Sequence, residues 1–183
     1  VSRHFTPTTT QADPLQSPAP NTLDRDFSAD APNRKWVADI TYLPAAQGWV
    51  YLAVVLDLFS RKVVGWAVSH SLATDLINSA LRMAIETRRP VGKQLLHHSD
   101  RGCQYTSDAY QHTLRMLGIT CLMSRTGNCW DNAAVERFFW SLKNEWTKHQ
   151  SFENLEAARM SVFKYIATFY NSVRLHQTLD YKT

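Results

Sequence analysis

Three carboxylates hold the positions in this sequence that are best suited to chemistry: Asp39, Asp100 and Glu136. Asp39 lies within a β-prone segment, Asp100 follows a short apolar one, and Glu136 lies in a helical pattern. Acids on three separate elements converge only if their charge is neutralised, because burying an unpaired ion is costly. Oxygen ligands suit Mg²⁺ or Mn²⁺, and two such ions about 3.5–4 Å apart can promote displacement at a phosphodiester. The alternative, which spacing alone leaves open, is three separately solvated or salt-bridged acids.

The elements that would position these acids begin with three strands. Residues 36–43, 49–56 and 63–68 are β-prone, and the short turns between them predict an antiparallel meander. The apolar period then changes to that of a helix, which we expect Thr74 to cap and which should stop before Pro90.

The second half of the chain alternates short apolar segments with helical ones. The predicted elements are a strand at 94–98, a helix capped by Ser107 and ended by Gly118, a strand at 119–123, and helices at 131–146 and 154–171. The order β-β-β-α-β-α-β-α-α predicts an α/β fold with a mixed five-stranded sheet and helices on both faces.

Composition divides the chain into two parts. Residues 1–35 hold five of the seven prolines, and their charges cancel, so they predict a flexible linker or arm. The net charge of +4 therefore lies in 36–183, the predicted core, with 16 basic and 12 acidic residues. No apolar run is long enough for a membrane span, and three cysteines favour a reducing compartment. Because the sequence does not begin with Met, we expect a fragment or a processed chain.

Five segments of the sequence resemble, in order, the motifs of a known family. They are Asn33–Tyr42, Leu56–Trp66, His97–Tyr105, Ser124–Ala133 and Phe169–His176. Together with the 35 residues between Asp100 and Glu136, they are similar to the Asp-Asp-Glu transposases of bacterial insertion sequences of the IS-three family. These transposases share their catalytic core with the retroviral integrases.

The resemblance implies an RNase-H-like fold and a catalytic triad of Asp39, Asp100 and Glu136 that binds two Mg²⁺ ions, with Mn²⁺ able to substitute. It also implies DNA cleavage and strand transfer at the ends of an insertion sequence. The expected partners are terminal inverted repeats, target DNA and further copies of the chain, as a homodimer or larger assembly. The expected location is the bacterial cytoplasm, at the nucleoid, with no membrane association.

Residues expected to contact DNA surround the triad. Lys143 follows Glu136 by seven residues, so the two are nearly eclipsed on one helix, and it matches a basic residue of the family. His98 has the same strand parity as Asp100, and Trp140 lies on the Glu136 side of its helix. The remaining residues expected to contact DNA are Arg101, Arg125, Asn128, Trp130, Asn132, Arg137, Arg174 and His176. Arg174 and His176 are included only on the resemblance, and for Trp130 stacking on a base and packing in the core are equally supported.

Several residues carry alternative interpretations. Asp57 is either a fourth ligand or, as its neighbours favour, the start of a turn that pairs with Arg61. The adjacent histidines and the three cysteines lack zinc-site spacing, which favours buried thiols.

Two departures from the family pattern bear on function. The sequence contains no upstream helix-turn-helix and ends shortly after Tyr181. These departures favour, as an alternative function, an inactive DNA-binding or assembly fragment. A nuclease for RNA–DNA hybrids is a third candidate, which the segment Gly127–Asn132 disfavours.

Overall fold

A five-stranded mixed sheet forms the centre of the computed structural model, which describes residues 28–90, 94–100, 102–123, 133–176 and 179. The strands are β1 Lys35–Ala45, β2 Gly48–Asp57, β3 Val63–Ser69, β4 Leu96–Ser99 and β5 Thr120–Met123. Their order across the sheet is β3-β2-β1-β4-β5. β1, β2 and β3 pair antiparallel, whereas β4 is parallel to β1 and to β5. The predicted meander and mixed sheet are confirmed.

The helices follow the predicted order, with one addition. They are α1 Thr74–Arg88, α2 Cys103–Thr106, α3 Asp108–Met116, α4 Ala133–Ser141 and α5 Leu155–Lys164. α4 and α5 continue as wider π-helical segments, Leu142–Thr147 and Tyr165–Tyr170. α2 is the addition. None of the helices in the described ranges is long and apolar enough to cross a membrane.

Of the predicted caps Thr74 and Ser107, that of Ser107 is confirmed, and the structure adds a cap at Asn154 that was not predicted. The Ser107 side chain accepts a hydrogen bond from the Tyr110 amide, and Asn154 caps α5 in the same way through the Ala157 amide. The prediction for Thr74 is wrong, because Ala73 has the extended backbone of the N-cap and Thr74 is already the first helical residue.

Each face of the sheet is covered by a different pair of helices. Val37 and Val54 share one core with Phe138 of α4 and Val162 of α5. Trp36, Ala38 and Ile40 of β1 share the other core with residues of α1 and α3. Because strand residues alternate between faces, Asp39 is directed to the side of α4.

The start of β1 agrees closely with the predicted boundary of the core. β1 begins at Lys35, and the Asn33 amide donates a hydrogen bond of 2.9 Å to Asp57 Oδ1. Residues 33–35 are therefore tied into the fold. The predicted arm at 1–35 falls largely in 1–27, outside the described residues, so the division at residue 35 stays a prediction.

Candidate active site

Asp39 and Asp100 lie side by side where β4 ends. Val37 of β1 pairs with His98 of the parallel strand β4. Asp39 lies two positions after Val37, and Asp100 lies two positions after His98. Burial raises the pKa of the Tyr105 hydroxyl, and the charges of Asp39 and Asp100 both raise it further. The structure therefore brings these two predicted acids to one place.

Each aspartate is anchored by a backbone amide. The Ile40 amide donates to Asp39 Oδ1 at 2.7 Å, and the Gly102 amide donates to Asp100 Oδ1 at 2.9 Å. The second hydrogen bond closes a tight turn between β4 and α2, since Asp side chains commonly bind the amide two residues on. Local sequence thus fixes the direction of both side chains.

Glu136 lies in the first turn of α4, a helix that packs against β1 and β2. Its neighbours Val135 and Phe138 are fully buried, whereas Glu136 lies on the exposed side, where partial burial raises its pKa. Within the described ranges, no three His, Cys, Asp or Glu side chains gather closely enough to hold a metal ion. The structure therefore pairs Asp39 with Asp100 without drawing Glu136 into the same cluster, and the third ligand stays a prediction.

Lys143 brings a positive charge to the aspartates. Its Nζ lies 4.5 Å from the centroid of the Tyr42 ring. Burial lowers the pKa of Lys143, while the charge of Asp39 raises it. Lys143 lies on the π-helical continuation of α4, so the helix that carries Glu136 also places Lys143 beside Tyr42 and Asp39 of β1.

Asp57 ends β2 and forms the turn that its neighbours favoured. It is fully buried and accepts hydrogen bonds from the Asn33 amide, the Ser60 amide and Ser60 Oγ. Burial lowers the pKa of Arg61, and the charges of Tyr170 and Asp57 raise it, so Asp57 and Arg61 also interact through charge. The Asp57 carboxylate therefore stabilises the turn after β2 through these hydrogen bonds.

Asp57→Asn is expected to lower the free energy of unfolding by about 1–3 kcal/mol, because an amide NH₂ then faces groups that donate hydrogen bonds. Affinity for Mn²⁺ should not change. Urea unfolding and isothermal titration with Mn²⁺ measure the two quantities, and Asp75→Asn, at an exposed position on α1, is the control. Weaker Mn²⁺ binding by Asp57→Asn at unchanged stability would indicate that Asp57 is a metal ligand.

Of three residues predicted to contact DNA, His98 is buried, and Arg174 and His176 make contacts within the protein, so that a DNA contact of these two stays a prediction. His98 is 1% exposed beneath the helices, so the prediction of a crevice contact is wrong, although its strand parity matches that of Asp100. The Arg174 guanidinium forms a 2.9 Å ion pair with Glu145. It also donates a hydrogen bond to Ser141 Oγ at 2.8 Å. His176 is buried with its ring 5.1 Å from that of Tyr170. Arg174 and His176 therefore fasten the end of the described chain to α4 and α5.

Arg137 and Trp140 form an exposed pair beside Glu136. Trp140 is 55% exposed, and the Arg137 guanidinium carbon lies 5.6 Å from its ring centroid. The prediction that Trp140 is the exposed aromatic residue of this helix is confirmed. The other predicted DNA contacts, Arg101, Arg125, Asn128, Trp130 and Asn132, lie outside the described residues.

The histidine and cysteine side chains differ in part from expectation. Tyr110 Oη and His97 Nε2 share a buried hydrogen bond of 3.0 Å, and burial, together with His98, lowers the pKa of His97 to about 4. Cys103 is exposed and Cys121 is half-buried, so the expectation of buried thiols is wrong for both. Cys129 lies outside the described residues.

Tyr105 is the residue near the aspartates that sequence reasoning missed. It is 1% exposed and lies on α2, a helix of four residues. So short a helix has no apolar period to detect, and only its position five residues after Asp100 marks Tyr105 as close to the site.

The strand order β3-β2-β1-β4-β5, with helices on both faces, defines the fold as RNase-H-like. The catalytic core domain of HTLV-2 integrase, solved with magnesium in a dimeric form, matches 81% of this chain and 93% of its own, with a TM-score of 0.61 and 20% identity. The catalytic domain of Mos1 mariner transposase matches 76% of this chain and 72% of its own, with a TM-score of 0.61 and 17% identity. The fold expected from the resemblance is confirmed.

The chain belongs to the integrase core domain family, which matches residues 29–129 and again 117–183. It is 44% identical over 164 residues to the transposase for insertion sequence element IS904 of Lactococcus lactis subsp. lactis (strain IL1403), covering 90% of this chain and 64% of that protein. It is 45% identical over 176 residues to transposase InsF for insertion sequence IS3A of Escherichia coli (strain K12), covering 96% of this chain and 60% of that protein. The chain thus spans less than two thirds of these relatives.

Proposed function

We propose that this chain is the catalytic core of an insertion-sequence transposase, which cleaves DNA at the ends of the element and transfers the freed strand to target DNA. The observation that carries the proposal is the placement of Asp39 on β1 beside Asp100, which directly follows the parallel strand β4, in a chain of the integrase core domain family. Two acids at one point favour a divalent cation, because like charges this close otherwise disfavour ionisation. The relatives named above are transposases of bacterial insertion sequences, which supports the same function. The expected site of action is the nucleoid in the bacterial cytoplasm, where the DNA lies.

The donor set fits Mg²⁺, with Mn²⁺ as a substitute, because all three proposed ligands are carboxylates. Asp39 and Asp100 would hold the cations between β1 and β4, and Glu136 would supply the third ligand from α4. Two ions bound there would assist both the attacking oxygen and the leaving oxygen of the phosphodiester. The chain's own contribution is orientation, since backbone amides fix one oxygen of each aspartate before substrate arrives.

DNA would approach along the exposed side of α4. Lys143 beside Asp39 is placed to contact a phosphate, and Trp140 with Arg137 offers an aromatic face and a cation for an unpaired base. Arg101, Arg125, Asn128, Trp130 and Asn132 stay predicted DNA contacts from the sequence. Cutting and joining two element ends requires two active sites, so we expect a homodimer or larger assembly on DNA.

Lys143→Ala is expected to weaken DNA binding and to reduce the slope of log K against log salt by about 0.9, the value for one lost phosphate contact. Fluorescence anisotropy with a labelled element end, over a range of salt concentrations, measures the slope. Lys164→Ala is the control, because Lys164 also lies over an aromatic ring, that of Trp146, but projects from α5. An unchanged slope for Lys143→Ala would remove Lys143 from the DNA contacts.

Incubating the protein with a labelled element end and Mg²⁺, Mn²⁺ or Ca²⁺ tests the proposed function. We expect nicking or strand joining with Mg²⁺ and Mn²⁺ and none with Ca²⁺. Strong DNA binding without cleavage under any metal would contradict the proposal and favour an inactive binding or assembly fragment. Cleavage of RNA–DNA hybrids in preference to element ends would instead favour a hybrid-specific nuclease.

A further inference from the structure

The Lys143 ammonium group lies over the aromatic ring of Tyr42. Its Nζ is 4.5 Å from the ring centroid, whereas the other three cation–ring pairs of the described residues are separated by 5.6–5.9 Å. A cation within about 6 Å of an aromatic face is attracted by the negative charge of that face, and more strongly where water is partly excluded. Both side chains are half-buried, so this attraction is stronger than it would be at an open surface.

The contact is made across an open stretch of the β1 edge. On the side away from β2, β1 pairs with β4 over Lys35–Val37 and forms a single bridge at Ala45. Of the described residues, none forms a strand along the edge between these two contacts. Strand alternation directs Tyr42 to the opposite face of the sheet from Asp39. Lys143 comes from the α4 face, so its long side chain reaches past the open edge to the Tyr42 ring.

Trp49 supports the Tyr42 ring. The two rings are in edge contact, with centroids 4.9 Å apart and planes at 79°. Trp49 of β2 pairs with Pro44, which places it diagonally opposite Tyr42 on the same face of the sheet. The Tyr42 ring is therefore held by a neighbouring strand, whereas Lys143 carries its charge on a flexible four-carbon stem.

The ring leaves the Lys143 ammonium able to bind a phosphate. An ammonium group has three N–H donors, and an aromatic face engages only the side that is turned toward it. Ordering a lysine side chain when a complex forms weakens binding, because rotamer freedom is lost. A lysine that is already held in the free protein loses less of that freedom when DNA binds.

We propose that Tyr42 is a positioning residue for DNA binding, whose ring face holds the Lys143 ammonium at the open edge of β1 for contact with a DNA phosphate. The inference rests on the proposed function in that Lys143 must contact DNA. Tyr42 acts through Lys143, so its loss weakens binding without removing the phosphate contact itself.

The test compares Tyr42→Leu with Tyr42→Phe in the full chain, with and without Lys143→Ala. Fluorescence anisotropy with a labelled element end, over a range of salt concentrations, gives the affinity and its salt slope. For Tyr42→Leu we expect about fivefold weaker binding with a parent-like slope, and for Tyr42→Phe, which keeps the ring face, parent-like binding. In the Lys143→Ala background, Tyr42→Leu should cause no further loss, because the two residues act as one unit.

A pentafluorinated phenylalanine at position 42 separates the charge of the ring face from its shape. Fluorine withdraws the negative charge of the face that attracts the cation, while the ring still packs against Trp49. We therefore expect this variant to bind DNA as weakly as Tyr42→Leu does, and to do so even if Tyr42→Leu is too unstable to measure. Urea unfolding of each variant gives the stability.

Tyr51→Leu is the matched control, because Tyr51 lies directly opposite Tyr42 on the same face of the β1–β2 pair. Three results would overturn the inference and leave the proposed function intact. They are parent-like binding by the fluorinated variant, an equal loss in Tyr51→Leu, which would indicate general packing, and an equal loss with and without Lys143, which would make Tyr42 a DNA contact itself.

The proposed function fails in a different way. A parent chain that bound element ends but cleaved none with Mg²⁺ or Mn²⁺ would overturn that function, while the affinities of the Tyr42 variants would still decide the role of Tyr42. A parent chain that bound no element-end DNA would overturn both proposals.

Discussion

Asp100→Asn is expected to reduce DNA cleavage by more than 100-fold while leaving the fold intact. Asparagine keeps the side-chain oxygen that accepts from the Gly102 amide, so the turn after β4 persists and only the charge is lost. A neutral amide is a poor ligand for a hard cation that prefers carboxylate oxygen. The loss should therefore exceed the roughly 10–100-fold effect of removing an outer-sphere partner.

Glu136→Gln should reduce cleavage similarly, because it also replaces a proposed carboxylate ligand with a neutral amide. The fold should stay intact, because Glu136 lies on the exposed side of α4 and contributes little to the core. The measurement is single-turnover cleavage of a labelled element end with Mg²⁺, alongside urea unfolding. Asp75→Asn and Glu156→Gln are matched controls, since each removes one exposed carboxylate from the first turn of another helix. Cleavage by Asp100→Asn or Glu136→Gln within tenfold of the parent rate would exclude the substituted acid as a ligand.

The meander could be predicted from the sequence because its signals are local. Consecutive β-prone segments joined by short turns pair with each other, and the register of β1 with β2 follows from the intervening turn. The pairing of β1 with β4 is different, since Trp36 and His97 are sixty-one positions apart along the chain. The approach of Asp39 to Asp100 was therefore inferred from the family resemblance, and the strand register accounts for it.

The errors at the site arise from tertiary packing. Strand parity directs His98 correctly to the side of Asp100 but carries no information about the helices that bury it. Arg174 was assigned to DNA only on the family resemblance, and the structure pairs it with Glu145, twenty-nine residues earlier. Thr74 does not cap α1, because the N-cap residue needs an extended backbone and in this structure that residue is Ala73.

Gly65→Ala is expected to lower the free energy of unfolding by about 3 kcal/mol, at the upper end of the effects of overpacking a core. Gly65 lies in β3 where α1 crosses the sheet most closely. A Cβ atom there would lie 2.1 Å from the Ala80 carbonyl oxygen and 2.6 Å from the Ala84 amide nitrogen. Both are backbone atoms, so relief requires the whole helix to move. Urea unfolding of the parent and the variant measures the difference.

The double variant Gly65→Ala/Ala84→Gly separates backbone from side-chain crowding. The Ala84 methyl group would lie 2.8 Å from the new Cβ, and removing it leaves the two closer backbone contacts in place. We therefore expect no recovery of stability, whereas full recovery would show that the methyl group sets the helix–sheet distance. Since β1 is held between β2 and β4, the folded fraction of Gly65→Ala should bind Mn²⁺ as the parent does. Weaker binding would mean that the packing of α1 on β3 is transmitted through β2 to Asp39.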